Sequence, residues 1–170
     1  MWRMTPFVVL AIFVLSLFAC RSQMNDQGKE DTMVNGVSEK VMQFLGSEIV
    51  DIIKNPEVVD SYKIKIKKEN SGTRIAGYPV VAQGPALTAQ QIDQIRSVLL
   101  DRNTYMFDYV KKCLFLPEYA LKFRKGAGEV VVLLCFSCEE LTFVYNGKEL
   151  LEDFDNATPK IRGLIQALFR

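Results

Sequence analysis

The chain has 170 residues, with 21 Lys and Arg against 20 Asp and Glu and no histidine. Near-neutral charge gives no broad basic field for nucleic acid. The missing imidazole excludes Ser-His-Asp and Cys-His catalysis and every histidine-containing zinc site.

The chain opens MWRMTPFVVLAIFVLSLFAC. Arg3 is a lone positive charge, and Pro6 to Ala19 is apolar except for Ser16. That run is shorter than the roughly 20 apolar residues a spanning helix needs, and it has the length of a signal-peptide core. Its end, Leu17-Phe18-Ala19-Cys20, resembles the lipobox of bacterial lipoproteins. Leu17 and Ala19 match the pattern, while Phe18 stands where a smaller residue is usual. The resemblance implies that the Cys20 thiol is acylated, the chain is cut before it, and the new amino terminus is acylated as well. Several acyl chains, at about 0.8 kcal/mol per buried methylene, anchor a protein to a bilayer without spanning it. Arg21 follows where an acidic residue would, in that family, favour inner-membrane retention. The expected location is therefore the cell envelope, at the outer membrane facing the periplasm. The other reading is an ordinary secretory leader cut near Ala19, leaving Cys20 a plain thiol.

Removing Arg3 with the leader leaves 20 basic and 20 acidic residues. Residues 21–36 are polar and aperiodic, which predicts a flexible tether. The expected organisation is a signal peptide over 1–19, lipidated Cys20 and tether over 20–36, and one globular domain over 37–170.

Within the domain, Val37, Val41, Phe44, Leu45, Ile49, Ile52 and Ile53 fall at helical spacing, and Asn55-Pro56 stops the run. SYKIKIKK alternates strictly, with Tyr62, Ile64 and Ile66 opposite Lys63, Lys65 and Lys67, so it reads as a half-buried strand. The lysine row is either a solvated edge or a surface for anionic lipid or cell-wall polymer. RIAGYPVVAQG is a weaker strand limited by Pro79 to an edge or a first position. In LTAQQI, Thr88 and Gln91 form a capping box, and Leu87 and Ile92 a hydrophobic staple, opening a helix over 89–100. EYALKFRK and EVVVLLCF flank a GAG hairpin loop, the second being apolar enough for a central strand. LTFVYNG is a further strand. Thr158 is expected to cap a terminal helix with Pro159 first and Ile161, Leu164, Ile165 and Leu168 buried. The predicted class is α+β: an antiparallel sheet of about four to five strands packed against about three helices, in a single domain.

The remaining cysteines are Cys113, Cys135 and Cys138. A hairpin centred near Ala127 pairs residues whose numbers sum to about 254. Cys113 then lies opposite position 141 or so, close to Cys138 and near Cys135. An extended Cys135–Cys138 segment holds its ends about 10 Å apart, beyond the roughly 7 Å limit for a disulfide, so the two can pair only if CFSC is itself a tight turn. The expectation is a disulfide from Cys113 to Cys138 or Cys135, closing a loop of some two dozen residues and worth roughly 3 kcal/mol. The alternatives are a thiol redox pair, a zinc or copper site on Cys113, Cys135 and Cys138 with Glu139 or Glu140 as fourth ligand, or reduced, buried, inert thiols. The motif Cys113, Phe115, Pro117 followed by Cys135, Phe136, Cys138 resembles a group of small secreted bacterial proteins carrying C-x-F-x-P and C-F-x-C. That resemblance covers the last third of the chain and implies no activity.

Adjacent carboxylates on a strand point to opposite faces, so Glu139-Glu140 is a poor catalytic dyad. Glu152, Asp153 and Asp155 read as a solvated loop without EF-hand spacing. The functional expectation is a membrane-anchored lipoprotein with no cofactor. It would be a non-catalytic binding or structural protein held on the bilayer through Cys20, with an envelope protein as partner. A thiol enzyme or metal carrier using Cys113, Cys135 and Cys138 is the alternative.

Overall fold

The computed structural model describes residues 32–66 and 72–170. The segment read as a leader, the Leu17–Cys20 motif and Lys67 of the lysine row lie outside the described residues.

Met33–Val34 (β1) and Val37–Ser38 (β2) form a two-stranded hairpin over Asn35-Gly36, its first strand and turn in the stretch read as tether. The Ser38 side chain then accepts from Val41 N at 3.2 Å and caps the first helix. The helix expected over 37–53 is broken in two: α1 spans Glu39–Leu45 and α2 spans Ser47–Lys54. Gly46 sits between them at φ +80°, ψ 158°, a region essentially closed to side chains with a Cβ. The break lets Val41 and Leu45 on one helix and Ile49, Val50, Ile52 and Ile53 on the next all enter one core.

The main sheet corrects the predicted class. It has seven strands rather than four to five, all neighbours antiparallel, in the order β4-β5-β3-β6-β7-β8-β9. With the hairpin and four helices beside it, strand outweighs helix. The strands are β3 (Val58–Ile64), β4 (Arg74–Ile75), β5 (Tyr78–Gln83), β6 (Tyr119–Lys125), β7 (Gly128–Cys135), β8 (Glu140–Tyr145) and β9 (Lys148–Asp153). Two of these go beyond the strands expected from the sequence. RIAGYPVV is a hairpin rather than one strand, because Ala76 and Gly77 take positive φ and turn the chain. KELLED is an edge strand rather than a loop, because Asn146-Gly147, at φ 49° and 73°, closes a two-residue turn that lays it against β8.

Helix α3 (Ala89–Leu99) opens with the expected capping box: Gln91 N donates to Thr88 Oγ1 at 3.2 Å and Thr88 N to Gln91 Oε1 at 2.9 Å. Helix α4 spans Thr158–Ala167. Thr158 lies inside it rather than capping it, and its hydroxyl donates to Phe154 O at 3.2 Å.

The helices cover one face of the sheet. There Phe123, Leu121, Val130, Val132, Leu134, Leu141 and Phe143 meet Ile53, Ile95, Leu99, Ile161 and Ile165. The opposite face carries a smaller cluster, in which Tyr62, Ile64, Ala120, Val131 and Leu133 meet Ile75 of β4 and Phe115. Strand β7 is covered on both sides, as a continuous apolar run requires.

Candidate functional site

Between the 3-10 turn at Arg102–Thr104 and β6, residues 105–118 take no regular structure. This segment wraps the end of the sheet where β7 passes to β8. Its two flanks are seated by packing: Tyr105 and Phe107 stack on each other at 5.2 Å and enter the larger core with Phe44, and Phe115 enters the smaller one. The buried Tyr105 hydroxyl donates to Leu99 O, and burial pushes its pKa far up.

The centre of the segment is held by two devices. Cys113 and Cys138 are joined by a disulfide, with Cα atoms 6.0 Å apart and a sequence separation of 25. Two residues earlier, the Lys111 ammonium donates to Cys138 O at 2.9 Å and Asp155 Oδ2 at 2.5 Å, and lies 3.4 Å from Asp153 Oδ1. Burial alone would lower the Lys111 pKa, but the Asp155 hydrogen bond and the two carboxylate charges outweigh it and raise it.

Beneath the lysine, Glu140 and Asp153 are cross-strand partners in β8 and β9. Directly opposed residues share a face, and both are almost wholly buried. Glu140 Oε2 has no hydrogen-bond partner. Burial, then the charge of Asp153, raises the Glu140 pKa above the usual carboxylate range. The Lys111 side of this cluster opens into a shallow cavity of about 130 Å³ rimmed by Phe107, Tyr109, Val110 and Leu151.

Cys135 is the free thiol of the folded domain. It is fully buried, with Leu116 N donating to its sulfur at 3.4 Å and the Ser137 hydroxyl 3.3 Å away. It is thus placed beside the staple and does not line the cavity. With Cys113 and Cys138 in a disulfide, the three sulfurs are not three thiolate ligands in this state. Among the described residues no group of three or more cysteines and carboxylates is arranged to hold a metal ion. Glu139 sits in the β7–β8 turn at φ 57° rather than on a strand.

The acidic residues expected in a solvated loop lie elsewhere. Glu152 and Asp153 belong to β9, and Asp153 is buried. The sequence carried no signal for this, because the counter-charge that makes burial possible is Lys111, which lies far away along the chain.

A wider cleft of about 810 Å³ lies between the β1–β2 hairpin and the C-terminal ends of α2 and α3, with Lys54, Arg96 and Arg102 on its walls. Lys54 donates to Asn35 O at 2.6 Å, and Arg96 to Lys54 O at 2.9 Å. Cations suit the negative ends of two helix dipoles, and these tie elements together.

No family model matches the chain, and no curated protein matches it. Among solved structures, the chain is similar to a crystal structure of a candidate lipoprotein from Clostridium perfringens, with a TM-score of 0.44 and 11% identity. The likeness covers 76% of this chain and 95% of that one. A likeness of that strength assigns neither a fold family nor a function.

Proposed function

We propose that this chain is an exported lipoprotein, acylated at Cys20 and held on a membrane of the cell envelope, with a non-catalytic binding domain. The observation that carries the reading is the Cys113–Cys138 disulfide in the folded domain. Disulfides persist where the compartment is oxidising, outside the bacterial cytoplasm, and the apolar leader ending in Leu17-Phe18-Ala19-Cys20 is a route to such a compartment. Outer-membrane placement rests on Arg21 alone.

The domain's chemistry fits display rather than turnover. The staple and the Lys111 ion pairs fasten an irregular segment whose tip points outward: Val110 is 88% exposed and Leu114 74%. Ordering the segment in advance removes a cost that binding would otherwise carry. As a thiol enzyme the site is poorly arranged. Cys135 is sealed from solvent, and no helix N-terminus follows the strand that delivers it.

Fatty-acid labelling of the full chain in a bacterial host tests the reading. Label is expected on the wild type, with the protein in the membrane fraction, and is expected to vanish in the Cys20→Ala chain. Equal labelling of both chains, or none of either, would overturn it.

A further inference from the structure

We propose that the stapled segment is a second membrane contact: Tyr109, Val110 and Leu114 enter the interface of the same bilayer that holds the acylated Cys20. The inference rests on the anchoring proposed above and adds an orientation to it. In soluble proteins large apolar side chains are seldom clustered at high exposure. Here Val110, Leu114 and Tyr109 are 88%, 74% and 55% exposed within six residues, and Leu151 of the neighbouring edge strand, 52% exposed, shares a cavity rim with Tyr109 and Val110.

The chemistry of the tip is that of an interfacial segment. Lys111 turns inward to Asp153 and Asp155, so its neighbours Val110 and Lys112 face solvent. The tip Tyr109-Val110-Lys111-Lys112-Cys113-Leu114 thus presents an amphipathic ring, two aliphatic side chains and an outward ammonium. Tyrosine prefers the headgroup level, and lysine reaches from there to lipid phosphate. The disulfide keeps this short tip in one shape, so insertion does not have to order it.

The point where the chain leaves toward Cys20 selects the bilayer over other occupants. Asp108, at the base of the tip, pairs with Lys40 at 3.3 Å. The adjacent Glu39 N donates to Thr32 O at 2.7 Å, and Thr32 is the first described residue. The exit of the chain and the apolar tip are therefore on the same side of the domain. Residues 21–31 keep Thr32 within roughly 40 Å of an anchored Cys20, at about 3.5 Å per residue. A second copy is the less fitting occupant, since four side chains fall short of the roughly 800 Å² a side that a stable dimer buries.

The test places a tryptophan at the tip of the full-length chain. A Trp2→Phe, Val110→Trp chain is recovered from host membranes and reconstituted into phosphatidylethanolamine and phosphatidylglycerol vesicles with brominated acyl chains. Its emission is expected to shift to the blue and fall to less than half of its intensity in unbrominated vesicles. A matching Ala127→Trp chain, labelled on the β6–β7 turn at the far end of β7, is expected to lose almost nothing. An unquenched Val110→Trp chain on the vesicles overturns the proposal, as does a blue shift that needs no lipid and grows with protein concentration, the sign of self-association. The mass of the Cys20 peptide is read on the same sample. An unacylated Cys20 defeats the anchoring, while the contrast between positions 110 and 127 still decides the tip.

Discussion

Glu140 and Asp153 face each other across the β8–β9 ladder, two carboxylates almost closed to solvent with one ammonium, that of Lys111, above them. Burial first, and then the charge of Asp153, raises the Glu140 pKa above its ordinary value. The folded chain holds the Glu140 proton more tightly than the unfolded chain, whose ordinary value is 4.5. The cost of ionisation is therefore complete above the folded pKa and is relieved as pH falls through it. Glu140→Gln is expected to stabilise the protein by about 1 kcal/mol at pH 7.5, the lower end for an unpaired buried polar group. In urea melts the difference from wild type should shrink as pH falls toward 4. A variant less stable than wild type at pH 7.5 would contradict this account.

Lys111 has the opposite sign. Its folded pKa is raised, so its contribution is complete below the unfolded value of 10.5 and is lost as pH rises through the folded one. Lys111→Met leaves Asp153 buried without a counter-charge, for a loss of about 3 kcal/mol at pH 7. A Lys111→Met, Asp153→Leu double variant should recover most of that loss, which a denaturant series on wild type, both single variants and the double variant would measure.

The staple closes a long loop, and Cys113→Ser should cost roughly 3 kcal/mol. Because the flanks remain seated by Tyr105, Phe107 and Phe115, the fold should survive. Limited proteolysis should then cut near Val110 to Leu114 at least tenfold faster than in the oxidised wild type.

Gly46 gives a test of backbone strain alone. No heavy atom stands within 4 Å of an added Cβ, yet φ is +80°. Gly46→Ala should therefore cost about 1–3 kcal/mol with no loss of packing, read as a shift in the urea midpoint at unchanged slope.

Some of this was legible in the sequence because it is local. The Thr88–Gln91 box and the two-sided burial of β7 follow from residues a few places apart. The hairpin arithmetic, too, placed Cys113 close to Cys138 and Cys135 from one turn. What escaped was whatever depends on contact between distant segments. KELLED looks like a polar loop until Asn146-Gly147 folds it onto β8. Lys111 is one of two adjacent lysines, and only the fold turns it toward Asp153 and Asp155. Gly46 hid inside an unbroken apolar period, because periodicity records which residues are apolar and not whether the helix axis continues.

The most direct test is the mass of the protein purified from host membranes, unfolded without reductant and alkylated. The account predicts an acylated amino-terminal Cys20, a Cys113–Cys138 disulfide and a single alkyl group, on Cys135. A chain still beginning at Met1, with Cys20, Cys113, Cys135 and Cys138 all alkylated, would contradict it.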